Sequence, residues 1–173
     1  MKKIFLVLCA LCATTVINAQ NFLNTVSGSV LEVKEADKAN VIIEWDYSNH
    51  TIDNQPTESF FAKKGEEAKK QFLEEVQESQ ESFAFYLRSK YLTPVLDKSI
   101  AKYVLRVKIM NYDSNNNLLT CGLEFCRIND TEPFAVFEST PIPGVGDIWN
   151  ASHVKNAYIL LALSIRKTIK KAK

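Results

Sequence analysis

Glycine and proline are scarce in this chain, five of each in 173 residues, and histidine is scarcer, with only His50 and His153. So little of both excludes collagen-like and low-complexity architectures. It also leaves little material for a phosphate cradle. The one candidate lies in "PIPGVGDIWNASHVKNAYILL", at Gly144-Val145-Gly146. A dinucleotide fingerprint needs a third glycine where Trp149 stands, and no G-x-x-x-x-G-K-[ST] run occurs. Pro141 and Pro143 lack the N–H groups that a cradle uses, and Asp147 would repel a phosphate. The stretch reads as a bend between a strand and the last helix. Gly144 and Gly146 supply backbone freedom there, and Asn150 or Asp147 serves as N-cap. No nucleotide is expected.

Cysteine is equally sparse. Of four, Cys9 and Cys12 fall near the amino end, leaving Cys121 and Cys126. Five residues apart on one predicted strand, these point to opposite faces at a separation of ~16 Å. A disulfide needs Cα atoms within ~7 Å, so both read as buried free thiols. His50 and His153 alone give no metal-ligand spacing. Nothing local activates Cys121 or Cys126 toward His153, with Asp46 or Glu124 behind it, as a nucleophilic pair would need. Glu44 and Asp46, two residues apart on one strand face, stand side by side instead of opposed across a cleft. No catalytic residue, cofactor or metal ligand is assigned, and the chain is expected not to be an enzyme.

An excess of one charge is missing too. Lys and Arg number 21 against 20 Asp and Glu, which excludes a broad basic surface for nucleic acid. The tail "RKTIKKAK" complements the dipole of a helix C-terminus, with a membrane-headgroup or polyanion contact as the alternative.

Only one long apolar run is present, Ile4 to Ala13. It follows Lys2-Lys3 and leads through small and polar residues to Ala19, with no acid before Glu32. That is the layout of a secretory signal peptide, and about half the ~20 residues of a membrane span. Cleavage after Ala19 would make Gln20 the first residue and lower the basic count from 21 to 19. Leu8 and Leu11 precede Cys9 and Cys12, which argues against lipidation there. The expected organisation is a signal peptide over 1–19 and a single domain over 20–173, long enough to bury a core. The location is periplasmic or extracellular, with membrane association possible but no integral span.

What is present is strong periodicity. "SGSVLEVKE" and "NVIIEWDYS" read as strands, joined by the polar turn "EADKAN" into a hairpin. Val41, Ile43, Trp45 and Tyr47 share one face. "HTIDNQPTES" reads as a loop. A long helix over 65–90 carries Ala68, Phe72, Val76, Ser79, Phe83 and Leu87 on one side. Three strands follow as an antiparallel meander. Tyr103, Leu105, Val107 and Ile109 point inward on the first, and Leu119, Cys121, Leu123 and Phe125 on the second. "FAVFEST" is the third. A last helix has Val154, Tyr158, Leu161, Ile165 and Ile169 as its stripe. These elements predict an α+β fold, a mainly antiparallel sheet of about five strands with two helices on one face.

"AKYVLRVKI", then "LEFCRINDTEPFAVFEST" and a glycine-containing approach to the last helix, resembles a family of small bacterial envelope domains. They include the amino-terminal domain of the Tol–Pal periplasmic propeller protein and the curli-secretion type lipoproteins. Ala101, Tyr103, Val104 and Leu105 match the family's strand opening, and Asp130-Thr131 its turn, while Lys102 stands where an acid is usual. The leader ending in Ala19-Gln20 resembles those of Bacteroidetes. The resemblance covers roughly residues 100–170 and implies an α/β sandwich used for assembly or binding, with no catalytic residues. The expected function is an exported, non-enzymatic binding or assembly module with another envelope protein as partner. A carrier of a lipid or other apolar small molecule, and an enzyme with an unrecognised site, are the alternatives. Trp45, Phe60, Phe61, Tyr112 and Trp149 are the candidate binding surface.

Overall fold

The computed structural model describes residues 20–116, 118–144 and 151–173, the last with side chains from residue 154 onward. Residues 1–19, Gly146, Asp147, Trp149, Asn150 and the side chain of His153 lie outside the described residues.

Among the described residues, nine strands and four α-helices succeed one another: β1 (Leu23–Gly28), α1 (Leu31–Glu35), β2 (Ala39–Asp46), β3 (Thr51–Ile52), β4 (Gln55–Pro56), α2 (Thr57–Lys64), α3 (Glu66–Leu87), β5 (Leu92–Pro94), β6 (Tyr103–Asp113), β7 (Leu118–Arg127), β8 (Ala135–Ser139), β9 (Ile142–Pro143) and α4 (Ala151–Lys171). The main sheet has the order β1-β8-β7-β6-β2-β5. It is mixed. The β6–β7–β8 meander is antiparallel, and β1 adds antiparallel to β8. By contrast, β2 runs parallel to both β6 and β5.

This overturns the expected five-stranded, mainly antiparallel sheet with two helices. The hairpin between the first two strands does not exist. In "SVLEVKE", Val30 and Val33 stand three apart and are both buried. That helical spacing turns the segment into α1. The strand itself lies earlier, at Leu23–Gly28, and pairs with the far edge. Once β2 is parallel to β6, the connection between them has to cross the sheet, and α2 and α3 form that crossover. The loop "HTIDNQPTES" also contains structure. Asp53 and Asn54, with φ of 51° and 60°, make a two-residue turn between β3 and β4. Positive φ at both central residues is what such a tight hairpin turn demands, and Asp and Asn tolerate it best after glycine.

The inward residues of the meander, Leu105, Val107, Ile109, Leu119, Cys121, Leu123, Phe125 and Phe137, join one core with the α3 and α4 stripes. Phe72, Val76, Phe83 and Leu87 of α3 and Val154, Tyr158, Leu161, Ile165 and Ile169 of α4 are all buried. On the opposite sheet face, among the described residues, Ile42, Val104 and Cys126 form a second, smaller apolar cluster, with Val95, Ala101 and Ile128 packed against it. Charged side chains stand beside this cluster. Glu124 lies between Arg106, at 2.8 Å, and Lys108, and Glu44 reaches Arg106 at 3.8 Å and Lys98 at 3.5 Å. Burial pushes the Glu124 carboxyl up, but the hydrogen bonds from Lys108 and Arg106 outweigh it and hold it below its ordinary value.

Cys121 and Cys126 are free and sit in the two separate clusters. Burial pushes the Cys121 thiol up to about 12, so almost no thiolate forms near neutral pH. A protein comprising residues 20–173 is therefore expected to resist a thiol reagent at pH 8 when native, and to take up two equivalents, at Cys121 and Cys126, without reductant when denatured. Labelling that needs reductant would contradict this strand.

Candidate functional site

The position of β5 creates the site. It pairs with β2 only over Ala39–Val41. Ala39 N–H donates to Tyr91 O at 2.8 Å, and Val95 N–H donates to Val41 O at 3.0 Å. Residues 39 and 41 thus aim their backbone groups outward from the sheet. The two-residue period of a strand sends those of Ile43 and Trp45 the same way. There β5 has already ended at Pro94, and among the described residues no backbone partner meets them.

A groove of about 750 Å³ follows this open edge. Ile43 and Trp45 line it from the helix side of β2, and Ile42 and Glu44 from the other side. Neighbours of both parities share one groove only where it runs along the strand's edge. Its outer walls mix Gln77, Glu81, Arg88 and Lys98 with two exposed apolar side chains, Phe85 of α3 at 72 % and Leu96 at 100 %.

The inner wall is rigid. Trp45 packs edge-on against Phe83, with centroids 5.0 Å apart, and lies 5.3 Å from the Tyr158 ring. Behind it runs a line of hydroxyls. Gln80 Nε2 donates to Tyr47 Oη at 2.8 Å, Tyr47 Oη bonds Tyr158 Oη at 2.9 Å, and Tyr158 Oη bonds Tyr112 Oη at 2.5 Å. Burial pushes Tyr47 up and Tyr112 and Tyr158 well above the ordinary tyrosine value, so all three stay neutral and act as structural donors and acceptors.

Of the four described aromatics among the five singled out in the sequence, Trp45 alone lines this groove. Phe60, Phe61 and Tyr112 belong to the core, where Phe61 packs on Phe72 and Phe72 on Tyr112. They form no surface with Trp45, because α2 turns both of its phenylalanines inward. Trp149 lies outside the described residues. Phe85 and Leu96 were missed. The signal for Phe85 was available, since it falls off the Phe83–Leu87 stripe, on the polar side of an amphipathic helix.

Other candidate chemistry is dispersed. Asp46 caps the turn at Ser48, and the hydrogen bonds from Ser48 hold its carboxyl below the ordinary value. His50 Nδ1 bonds Tyr47 O at 2.7 Å. Gly144 has φ of 116°, a backbone that a bend there requires and that glycine adopts freely. Among the described residues no group of three His, Cys, Asp or Glu side chains is placed to hold a metal ion, and no helix is long and apolar enough to cross a membrane.

No family model matches the chain, and no curated protein matches it. Among solved structures it is similar to the PelC dodecamer from Paraburkholderia phytofirmans, at 12 % identity and a TM-score of 0.41, covering 84 % of this chain and 98 % of that one. A variant of the same PelC in another crystal form gives 12 % identity and a TM-score of 0.39, covering 83 % and 99 %.

Proposed function

We propose that the chain is an exported, non-enzymatic binding module of the cell envelope that takes an extended segment of another protein onto the open edge of β2. The observation that supports this reading is the groove that wraps both sides of Ile43–Trp45. An extended peptide laid there bonds the outward N–H and C=O groups of Ile43 and Trp45, each hydrogen bond contributing about 0.5–1.5 kcal/mol net. Its alternate side chains meet Phe85, Leu96 and Trp45, which is the logic of strand addition. The signal-peptide layout over 1–19 supports export.

Peptides selected from a displayed library against the protein test this. Binders are expected to carry alternating apolar residues, to protect the Ile43 and Trp45 amides from hydrogen exchange, and to weaken tenfold or more with Phe85→Ser or Leu96→Ser. Binding that leaves those amides unprotected would place the site elsewhere. A fluorescent fatty acid that binds and is lost with the same substitutions would favour the carrier reading instead.

A further inference from the structure

The last helix concentrates one charge. Residues 151–173 hold Lys155, Arg166, Lys167, Lys170, Lys171 and Lys173 and no acidic side chain. A groove of about 530 Å³ lies between α4 and the turn that joins α3 to β5. Half-buried Leu160, Leu163 and Tyr91 make an apolar floor, and Lys90, Arg166 and Lys170 stand at its rim. Among the described residues no acidic side chain lines it. Lys90 Nζ sits 4.8 Å from the centre of the Tyr91 ring, and Arg166 Nη1 donates to Tyr86 O at 3.1 Å. Among the described residues none of these three cations is in an ion pair.

The helix dipole accounts for cations in the last turn of α4. It does not account for Lys90, which belongs to a different segment and faces the same groove. Gln20 also lines this groove. It is the residue to which the signal-peptide-like stretch 1–19 connects, so that stretch enters the folded domain on the groove's side.

We propose that this groove rests on a bilayer surface rich in anionic headgroups. The lipid phosphates sit between Lys90, Arg166 and Lys170, and the Leu160, Leu163 and Tyr91 floor covers the first methylenes below them. Each basic side chain near such a surface strengthens binding about fivefold, and added salt weakens it.

Flotation of the full chain with vesicles tests this, using phosphatidylcholine alone and phosphatidylcholine with phosphatidylglycerol in equal parts. Binding on neutral vesicles registers the leader's own affinity. On anionic vesicles the chain is expected to bind more tightly. Lys90→Gln with Lys170→Gln removes about 25-fold of that excess, and Lys90→Arg with Lys170→Arg retains it. Neutral-vesicle binding stays the same in every variant. Equal binding on both vesicles, or Gln variants that bind like the original chain, would overturn the proposal. So would Gln-sensitive binding to heparin by a chain that shows no excess binding to anionic vesicles, which would make the groove a site for soluble polyanions.

Discussion

Phe83→Ala is expected to lower stability by about 3–5 kcal/mol. The side chain is fully buried and lies where α3, β2 and α4 converge. Its edge contact with Trp45 holds the indole against the sheet, and Tyr158 closes the other side. Truncation removes the transferred area and leaves a cavity that two rigid aromatic neighbours cannot collapse into. At about 2–4 °C per kcal/mol for a chain of this size, the melting temperature falls by roughly 10 °C. Trp45 loses its dry wall, so its fluorescence shifts to the red, and any peptide held at the β2 edge binds more weakly. A loss under about 1 kcal/mol, the size of an ordinary surface effect, with unchanged Trp emission would show that α3 does not seat on β2 through this residue.

Gly28→Ala is the second large effect, and Gly65→Ala is its control. Both glycines have a backbone that L side chains rarely adopt, with φ of 70° and 94°. That conformational cost is about 1–3 kcal/mol at either site. The surroundings differ. A Cβ at Gly65 meets nothing within 4 Å, whereas one at Gly28 falls 1.9 Å from the carbonyl oxygen of Phe134. That oxygen is backbone and cannot turn aside, since Phe134 N–H is anchored to Phe125 O at 2.8 Å. The end of β1 must therefore leave β8, which adds roughly 1–3 kcal/mol of steric cost. Thermal unfolding should rank Gly28→Ala well below Gly65→Ala, and hydrogen exchange should show lost protection confined to β1 and its partner β8. Equal melting temperatures would mean that β1 does not approach β8 this closely.

The first of these positions marks where the sequence was legible, and the second, at the end of the misplaced β1, where it was not. Phe83 belongs to a helical stripe whose period is unbroken from Phe72 to Leu87, and the meander alternates just as cleanly. Such patterns report which face of an element is buried. They do not report which strand lies next to it. Val41, Ile43 and Trp45 alternate in the same way whether β2 forms a hairpin with its predecessor or runs parallel to β6. The hairpin reading failed on that ambiguity and on the mixed spacing of Val30, Leu31 and Val33. The three residues of β5 are too few to carry a pattern, and they end in a proline that does not suggest a strand.

The site was less legible than the fold for a related reason. Trp45, Phe85 and Leu96 come from three separate segments, and only tertiary packing brings them to one groove. Aromatic composition alone cannot separate a groove residue from a core residue. Phe60 and Phe61 looked equally suited to binding, yet a helix one side of which faces the core can bury two adjacent rings. The unpaired backbone of Ile43 and Trp45 has no side-chain signature at all.

The placement of β1 bears on the order in which the molecule can assemble. A chain is made from its amino end, and β1 is the first strand to exist. Its pairing partner, β8, arrives more than a hundred residues later, and the Phe22 N–H finds the Ser164 hydroxyl only across a separation of 142 residues. The opening segment therefore has nothing to dock on until nearly the whole polypeptide is available. Until then Leu23–Gly28 have no strand to pair with. Closure of the domain, with α4 covering the sheet and β1 pairing with its edge, therefore needs both ends of the chain together.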